Sequence, residues 1–127
     1  MREEVVILYR PVGPRELALI KNSEWRSFPR RLPEQPIFYP VLNEEYARAI
    51  ARRWNVRHSG AGFVLRFAID KKYIERFDIH QVGSRIHVEY WIPASELEEF
   101  NNHIVGVIEM IASYDKNEQH DRRGPDA

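Results

Sequence analysis

The chain is 127 residues long, has 43% apolar residues and no cysteine, and balances 19 Lys plus Arg against 19 Asp plus Glu. That length and composition suit one folded domain closing its own hydrophobic core, and the zero net charge excludes a global field that would draw in a polyanion or an acidic membrane. Without cysteine there is no disulfide framework, thiolate metal site or cysteine nucleophile.

Residues 5–10 (Val-Val-Ile-Leu-Tyr-Arg) form a β-branched run stopped by Pro11, predicting a first strand with Tyr9 and Arg10 at its edge. Four apolar residues are too few for a signal peptide, and nothing later reaches membrane-spanning length, so the expectation is a cytoplasmic protein with no membrane partner. Gly13-Pro14 opens a helix over Pro14–Asn22, with Leu17 and Ile20 three apart. Residues 23–36 show no period. Trp25, Phe28, Pro29, Arg30, Arg31, Leu32 and Pro33 make a proline-broken loop, a candidate binding wall or lid, or else a plain surface connection.

Ile37-Phe38-Tyr39 is a short strand ended by Pro40. Asn43 then caps a helix with Glu44 and Glu45 in its first turn, where the helix dipole favours acids. Tyr46, Ile50 and Trp54 at steps of four predict its apolar stripe, and residues 55–62 the following loop. Phe63, Leu65, Phe67 and Ile69 alternate as one face of a strand, and Asp70 caps a turn carrying Tyr73, Ile74 and Phe77. Gly83-Ser84, between residues 79–82 and 85–92, predicts a two-residue hairpin turn. Ser95 with Glu98 reads as a capping box opening a helix to residue 102, followed by a closing strand over residues 104–111. The expected fold class is α+β, with a mostly antiparallel sheet and a few short helices, in one domain over residues 1–114. Residues 115–127 are a polar tail expected to fray.

Several places could carry chemistry. On residues 85–92, Ile86, Val88, Tyr90 and Ile92 alternate with His87, Glu89 and Trp91, so one face packs while the other presents a carboxylate between an imidazole and an indole. Taken locally, Glu89 is equally a half-exposed acid paired with a surface arginine. Arg10, at a strand end, suits bidentate capture of phosphate or carboxylate. Phe38-Tyr39-Pro40 offers rigid aromatic faces for a heteroaromatic ring, although aromatics in short strands often belong to the core. Trp25, Arg26, Phe28, Arg30 and Arg31 interleave aromatics with positive charge, as in surfaces that bind single-stranded nucleic acid or a nucleotide phosphate. The histidines, His58, His80, His87, His103 and His120, lack ligand spacing, so no metal is expected.

Leu8-Tyr9-Arg10-Pro11-Val12, residues 38–47 (Phe-Tyr-Pro-Val-Leu-Asn-Glu-Glu-Tyr-Ala) and residues 89–94 (Glu-Tyr-Trp-Ile-Pro-Ala) together resemble small bacterial proteins labelled ADP-ribosylation/crystallin-like, with a layout similar to the ADP-ribosyltransferase superfamily. The likeness runs over about residues 5–111. It implies an ADP-ribosyltransferase-like split sheet and an NAD-dependent ADP-ribosyltransferase that releases nicotinamide. Arg10, with Tyr9, would hold the NAD phosphates or nicotinamide ribose; Tyr39 or Phe38 would flank the nicotinamide; Tyr46 would complete the cofactor site; Glu89 would be the catalytic acid. The acceptor is left open as protein, nucleic acid or small molecule. Residues 38–41 lack the hydroxyl run of the Arg-Ser-Glu class, and Arg10 stands where the His-Tyr-Glu class has histidine. His87 occupies the position two before Glu89 that arginine-modifying members fill with Glu or Gln, which disfavours protein arginine as acceptor. The alternatives are a non-catalytic nucleotide- or protein-binding module on the same fold, and an RNA-binding domain using the Trp25–Arg31 segment.

Overall fold

A computed structural model describes residues 4–116 together with the backbone of 119–121. The chain is α+β, and every strand pairing in it is antiparallel. Strands β1 (Val5–Val12), β3 (Ala61–Asp70), β7 (Ile104–Asp115) and β8 (Gln119–Asp121) form a sheet in the order β1-β3-β7-β8. Short pairs are made by β2 (Ile37–Phe38) with β6 (Ile92–Pro93), and by β4 (Ile79–Gln81) with β5 (Val88–Tyr90).

Pro11 does not end β1. Tyr9 N donates to Val41 O and Val41 N to Tyr9 O, so the odd-numbered peptide groups of β1 face away from β3. The nitrogen of Pro11 lies on that same side, where no ladder bond to β3 is lost. The same edge carries Val41, which bridges Tyr9 on one side and Glu89 on the other. Leu42 N donates to Val88 O and Tyr90 N to Pro40 O. Through residues 40–42, then, the β4–β5 hairpin is tied to the edge of the main sheet, and Tyr9, Val41 and Glu89 fall in one cross-strand row.

The hairpin differs from its sequence prediction. Val82 N donates to His87 O, so the connection closes over residues 83–86 rather than over Gly83-Ser84 alone. Pairing shifts by two residues, and His80 lies opposite Glu89 instead of His87. A shift of two preserves side-chain alternation, so Glu89 keeps the face assigned to it.

Two cores flank the sheet. On one face Leu8, Val12, Leu17, Ile20, Phe28, Phe38, Phe67 and Phe100 pack together, with α1 (Pro14–Asn22) and α5 (Leu97–Asn102) supplying Ile20 and Phe100. Phe28 anchors the irregular loop there, in contact with Phe38, Phe67 and Phe100. Trp25 also packs against this cluster. Of the aromatics in the Trp25–Arg31 segment, Phe28 belongs to the core and Trp25 is partly buried against it.

The other face is covered by one continuous helical stretch, α2 (Glu44–Ala49), a π segment (Ile50–Asn55) and α3 (Val56–Ser59), ending at Gly60. The loop expected from residue 55 starts only after Ser59. The buried stripe is Ala47, Ala51 and Asn55, not Tyr46, Ile50 and Trp54. Small residues win because the helix lies directly on β3: a β-carbon at Gly62 would sit 2.2 Å from the Ala51 carbonyl oxygen and 2.9 Å from Asn55 Cβ. At the start of this helix the Asn43 side chain accepts from Tyr46 N at 2.9 Å. Asn43→Ala should cost about 1 kcal/mol, read as a fall in the urea midpoint at unchanged m-value; an unshifted midpoint would mean the cap contributes nothing.

The expected polar tail also differs. Gln119–Asp121 pairs with β7, with Ser113 opposite His120, while 117, 118 and 122–127 lie outside the described residues. Among the described residues no helix is long and apolar enough to cross a membrane.

Candidate functional site

A cavity of about 890 Å3 opens where β1 leaves the main sheet, between the first turn of α1, the irregular loop, the helix over residues 44–59 and the β4–β5 hairpin. That is the volume of a cofactor-sized ligand site. Arg10, Tyr39 and Glu89, far apart in sequence, all line it.

Glu89 is 8% exposed, and each of its carboxylate oxygens holds one donor. The Tyr46 hydroxyl donates to Oε2 at 3.1 Å, and Trp91 Nε1 donates to Oε1 at 2.9 Å. The surface ion pair weighed for this acid is thus not what holds it. Two neutral donors leave its charge uncompensated and half of its lone-pair sites open to a ligand hydroxyl. Its supports are braced in turn: His87 stacks on Tyr46 at 4.3 Å between ring centroids, and His80 stacks on Trp91 at 3.8 Å. Burial, reinforced by the Glu89 charge and the hydrogen bond to it, pushes the Tyr46 phenol up to about 12.

The folded state thus holds the Tyr46 proton more tightly than the unfolded chain, where tyrosine ionises near about 10. The associated stability is complete below that pH and is lost as pH rises toward about 12. Urea titrations across the alkaline range should show a shallower loss of stability in Tyr46→Phe than in the wild type. Parallel pH profiles for the two proteins would contradict a Tyr46 phenol raised by burial and by Glu89.

Arg10 alternates away from the Tyr9–Val41–Glu89 row, and its guanidinium lies 4.7 Å from the Phe38 ring centroid. Nε and Nη2 both donate to Glu16 at 2.9 Å, and Nη1 donates to Tyr39 O at 3.4 Å. Its bidentate fork is taken up inside the protein. Sequence reasoning missed Glu16; the visible signal was Gly13-Pro14, which turns the chain so that the first turn of α1 returns beside the end of β1. Arg31 comes over the same Phe38 ring at 5.9 Å and donates from Nη2 to Ile37 O at 3.1 Å. Burial, and then the charge of Arg10, lower the pKa of Arg31 from its ordinary value.

Of the sequence-predicted cofactor residues, Tyr39 reaches the cavity with 37% exposure, and Tyr46 acts through Glu89. Phe38 does not reach it. It is fully buried under the two guanidinium groups, so of Phe38 and Tyr39 only Tyr39 lines the cavity. Tyr9 does not reach it either, being packed against the cluster beneath the long helix.

Charge and rim complete the picture. The ionisable residues lining the cavity are Arg10, Arg15, Arg30 and Arg31 against Glu16 and Glu89, a local excess of two positive charges in a chain of zero net charge. Exposed Tyr39, Trp54 and Trp91 also line the cavity. Aromatic faces around a cationic pocket suit an anionic ligand bearing flat rings. Trp54, assigned from the sequence to a buried stripe, is 56% exposed here.

No family model, curated protein or solved structure matches the chain. Its function therefore has to be read from the cavity.

Proposed function

We propose that the protein is an NAD-dependent ADP-ribosyltransferase with Glu89 as its catalytic carboxylate. The observation that carries this reading is Glu89 itself: a buried, charge-uncompensated carboxylate, held on both oxygens by Tyr46 and Trp91, in the wall of a cationic, aromatic-rimmed cavity shared with Arg10 and Tyr39. The resemblance in Leu8–Val12, residues 38–47 and residues 89–94 supports the same assignment.

In this reading the nicotinamide ring lies against Tyr39 and its ribose faces Glu89. The bond from C1′ of the ribose to the ring nitrogen breaks with its electron pair moving onto the ring, so nicotinamide leaves neutral and the ribose becomes oxocarbenium-like. Glu89 stabilises that developing positive charge while accepting a hydrogen bond from the 2′-hydroxyl. A nucleophile then bonds to C1′ and gives up its proton; water there yields ADP-ribose, and an acceptor hydroxyl or amine yields the modified product. Trp91 and Tyr46 are positioning residues, which stop the carboxylate from rotating away.

NAD labelled in nicotinamide tests the assignment directly. Wild-type protein should release labelled nicotinamide in proportion to enzyme and time, whereas absence of release with NAD alone and with cell extract as acceptor source would reject the activity. A non-catalytic nucleotide-binding module is the second reading, favoured by the internal pairing of Arg10 with Glu16, which leaves that arginine little to offer a substrate. It requires NAD binding by calorimetry without turnover.

A further inference from the structure

Among the described residues, two buried side-chain polar atoms have no hydrogen-bond partner: Arg31 Nε, a donor, and Asn55 Oδ1, an acceptor. Both residues line the one cavity. Buried polar groups in native proteins nearly always find a partner, so two orphans of opposite type in the lining of one cavity call for an occupant offering an acceptor to the first and a donor to the second.

A third feature adds direction. Helix α1 is nine residues long, its first residue is Pro14 and its N-cap, Gly13, supplies no side-chain hydrogen bond, so the Arg15 and Glu16 amides, on residues that line the cavity, are left without a side-chain cap. Asn55 is 8% exposed and stands at this point, because a β-carbon on Gly13 would lie 4.0 Å from Asn55 Nδ2 and 3.3 Å from Ser59 Oγ. Arg15, in the same first turn, is exposed and makes no ion pair among the described residues. Free amides and arginine donors call for phosphate oxygens, and the Asn55 carbonyl calls for a hydroxyl close to them.

From this we infer that the first turn of α1, with Arg15, Arg31, Asn55 and Ser59, forms a ribose-phosphate subsite that holds the ADP half of the ligand, remote from Glu89. Phosphate oxygens take the α1 amides and the Arg31 and Arg15 guanidinium groups, and a ribose hydroxyl donates to Asn55 Oδ1. The choice of ADP-ribose as ligand rests on the NAD reading above. The subsite also explains how the cavity binds a diphosphate although Arg10 is occupied by Glu16.

Calorimetry with ADP-ribose, and with adenosine and inorganic phosphate as part-ligands, tests the subsite without needing turnover. Wild-type protein should bind ADP-ribose. Arg15→Glu and Asn55→Ala should each weaken it by roughly tenfold or more, as loss of a charge-assisted or buried partner does. Arg57→Glu, the same charge change outside the cavity, should leave the affinity within about twofold. Arg15 is exposed, so its variant keeps the test valid should Asn55→Ala fail to fold. Equal weakening by Arg15→Glu and Arg57→Glu, adenosine binding as tightly as ADP-ribose, or no binding of ADP-ribose to the wild type would each overturn the subsite. Turnover of NAD with affinities unchanged in Arg15→Glu and Asn55→Ala would sink the subsite and leave the enzyme standing. The variant pattern without any turnover would do the reverse.

Discussion

Glu89→Gln should lower nicotinamide release by about a hundredfold to a thousandfold, the usual consequence of removing one preorganised electrostatic group from a charge-developing transition state. Glutamine preserves the size of the side chain and can still accept one of the two hydrogen bonds from Tyr46 and Trp91, so the hairpin has reason to stay folded. What it loses is the negative charge opposite the oxocarbenium-like ribose. That charge acts more on the transition state than on bound NAD, so the loss should fall mainly on kcat while KM moves little. Tyr46→Phe should give a smaller loss of about tenfold, because it frees the carboxylate to rotate without discharging it. Steady-state kinetics on both variants, with matched circular dichroism and melting curves, make the comparison. A Glu89→Gln rate close to wild type would exclude Glu89 from the chemistry.

Gly62→Ala should be among the most damaging single substitutions to stability. The added β-carbon would meet the Ala51 carbonyl oxygen at 2.2 Å and its carbonyl carbon at 2.8 Å, which is backbone and cannot swing aside. The helix over residues 44–59 has to lift from β3, opening the cluster of Val41, Ala47, Ala51, Val64 and Ala112. Overpacking of this kind costs about 3 kcal/mol, a fall in Tm of roughly 10 °C for a domain of this size. Asn55 Cβ would also be crowded, at 2.9 Å, so the variant should bind ADP-ribose more weakly at temperatures where it is still folded. A melting curve within a few degrees of wild type would show that the helix yields freely and that its closeness to β3 does not set the geometry of the cavity.

Much of the fold was legible from local chemistry. A helix over about Pro14 to Asn22 was legible from Pro14 at its first position and the spacing of Leu17 and Ile20, and the structure has it at Pro14–Asn22. Asn43 and Asp70 were identifiable as caps because short polar side chains satisfy free amides over three residues or fewer, and both do so. Failures came where a partner distant in sequence overrode the local pattern. Pro11 looked like a stop until its nitrogen was found on the edge away from β3. Tyr46, Ile50 and Trp54 looked like the buried stripe because size was taken for burial, whereas a helix resting on Gly62 can bury only Ala47, Ala51 and Asn55.

For the site the division is sharper. Arg10, Tyr39 and Glu89 were named from their residue types, their strand positions and the resemblance, and all three line the cavity. Glu16 and Asn55 could not be assigned from the sequence, because nothing within a few residues of each marks what it will face, and Arg31 was legible only as one cation of an aromatic–basic loop. By itself the sequence determined the elements marked by Pro14, by the Asn43 and Asp70 caps and by the alternation of Phe63, Leu65, Phe67 and Ile69. It also determined which face of the hairpin strand carries Glu89, since alternation survives a two-residue slip in register. Only the tertiary structure decided that Arg10 is neutralised by Glu16, that Tyr46 and Trp91 fix the Glu89 carboxylate, and that Arg31 Nε and Asn55 Oδ1 are buried without a partner among the described residues. The physical reason is that hydrogen-bond partners, desolvation and cavity charge are set by distances between groups that meet only when Val41 stitches the hairpin to the edge of β1.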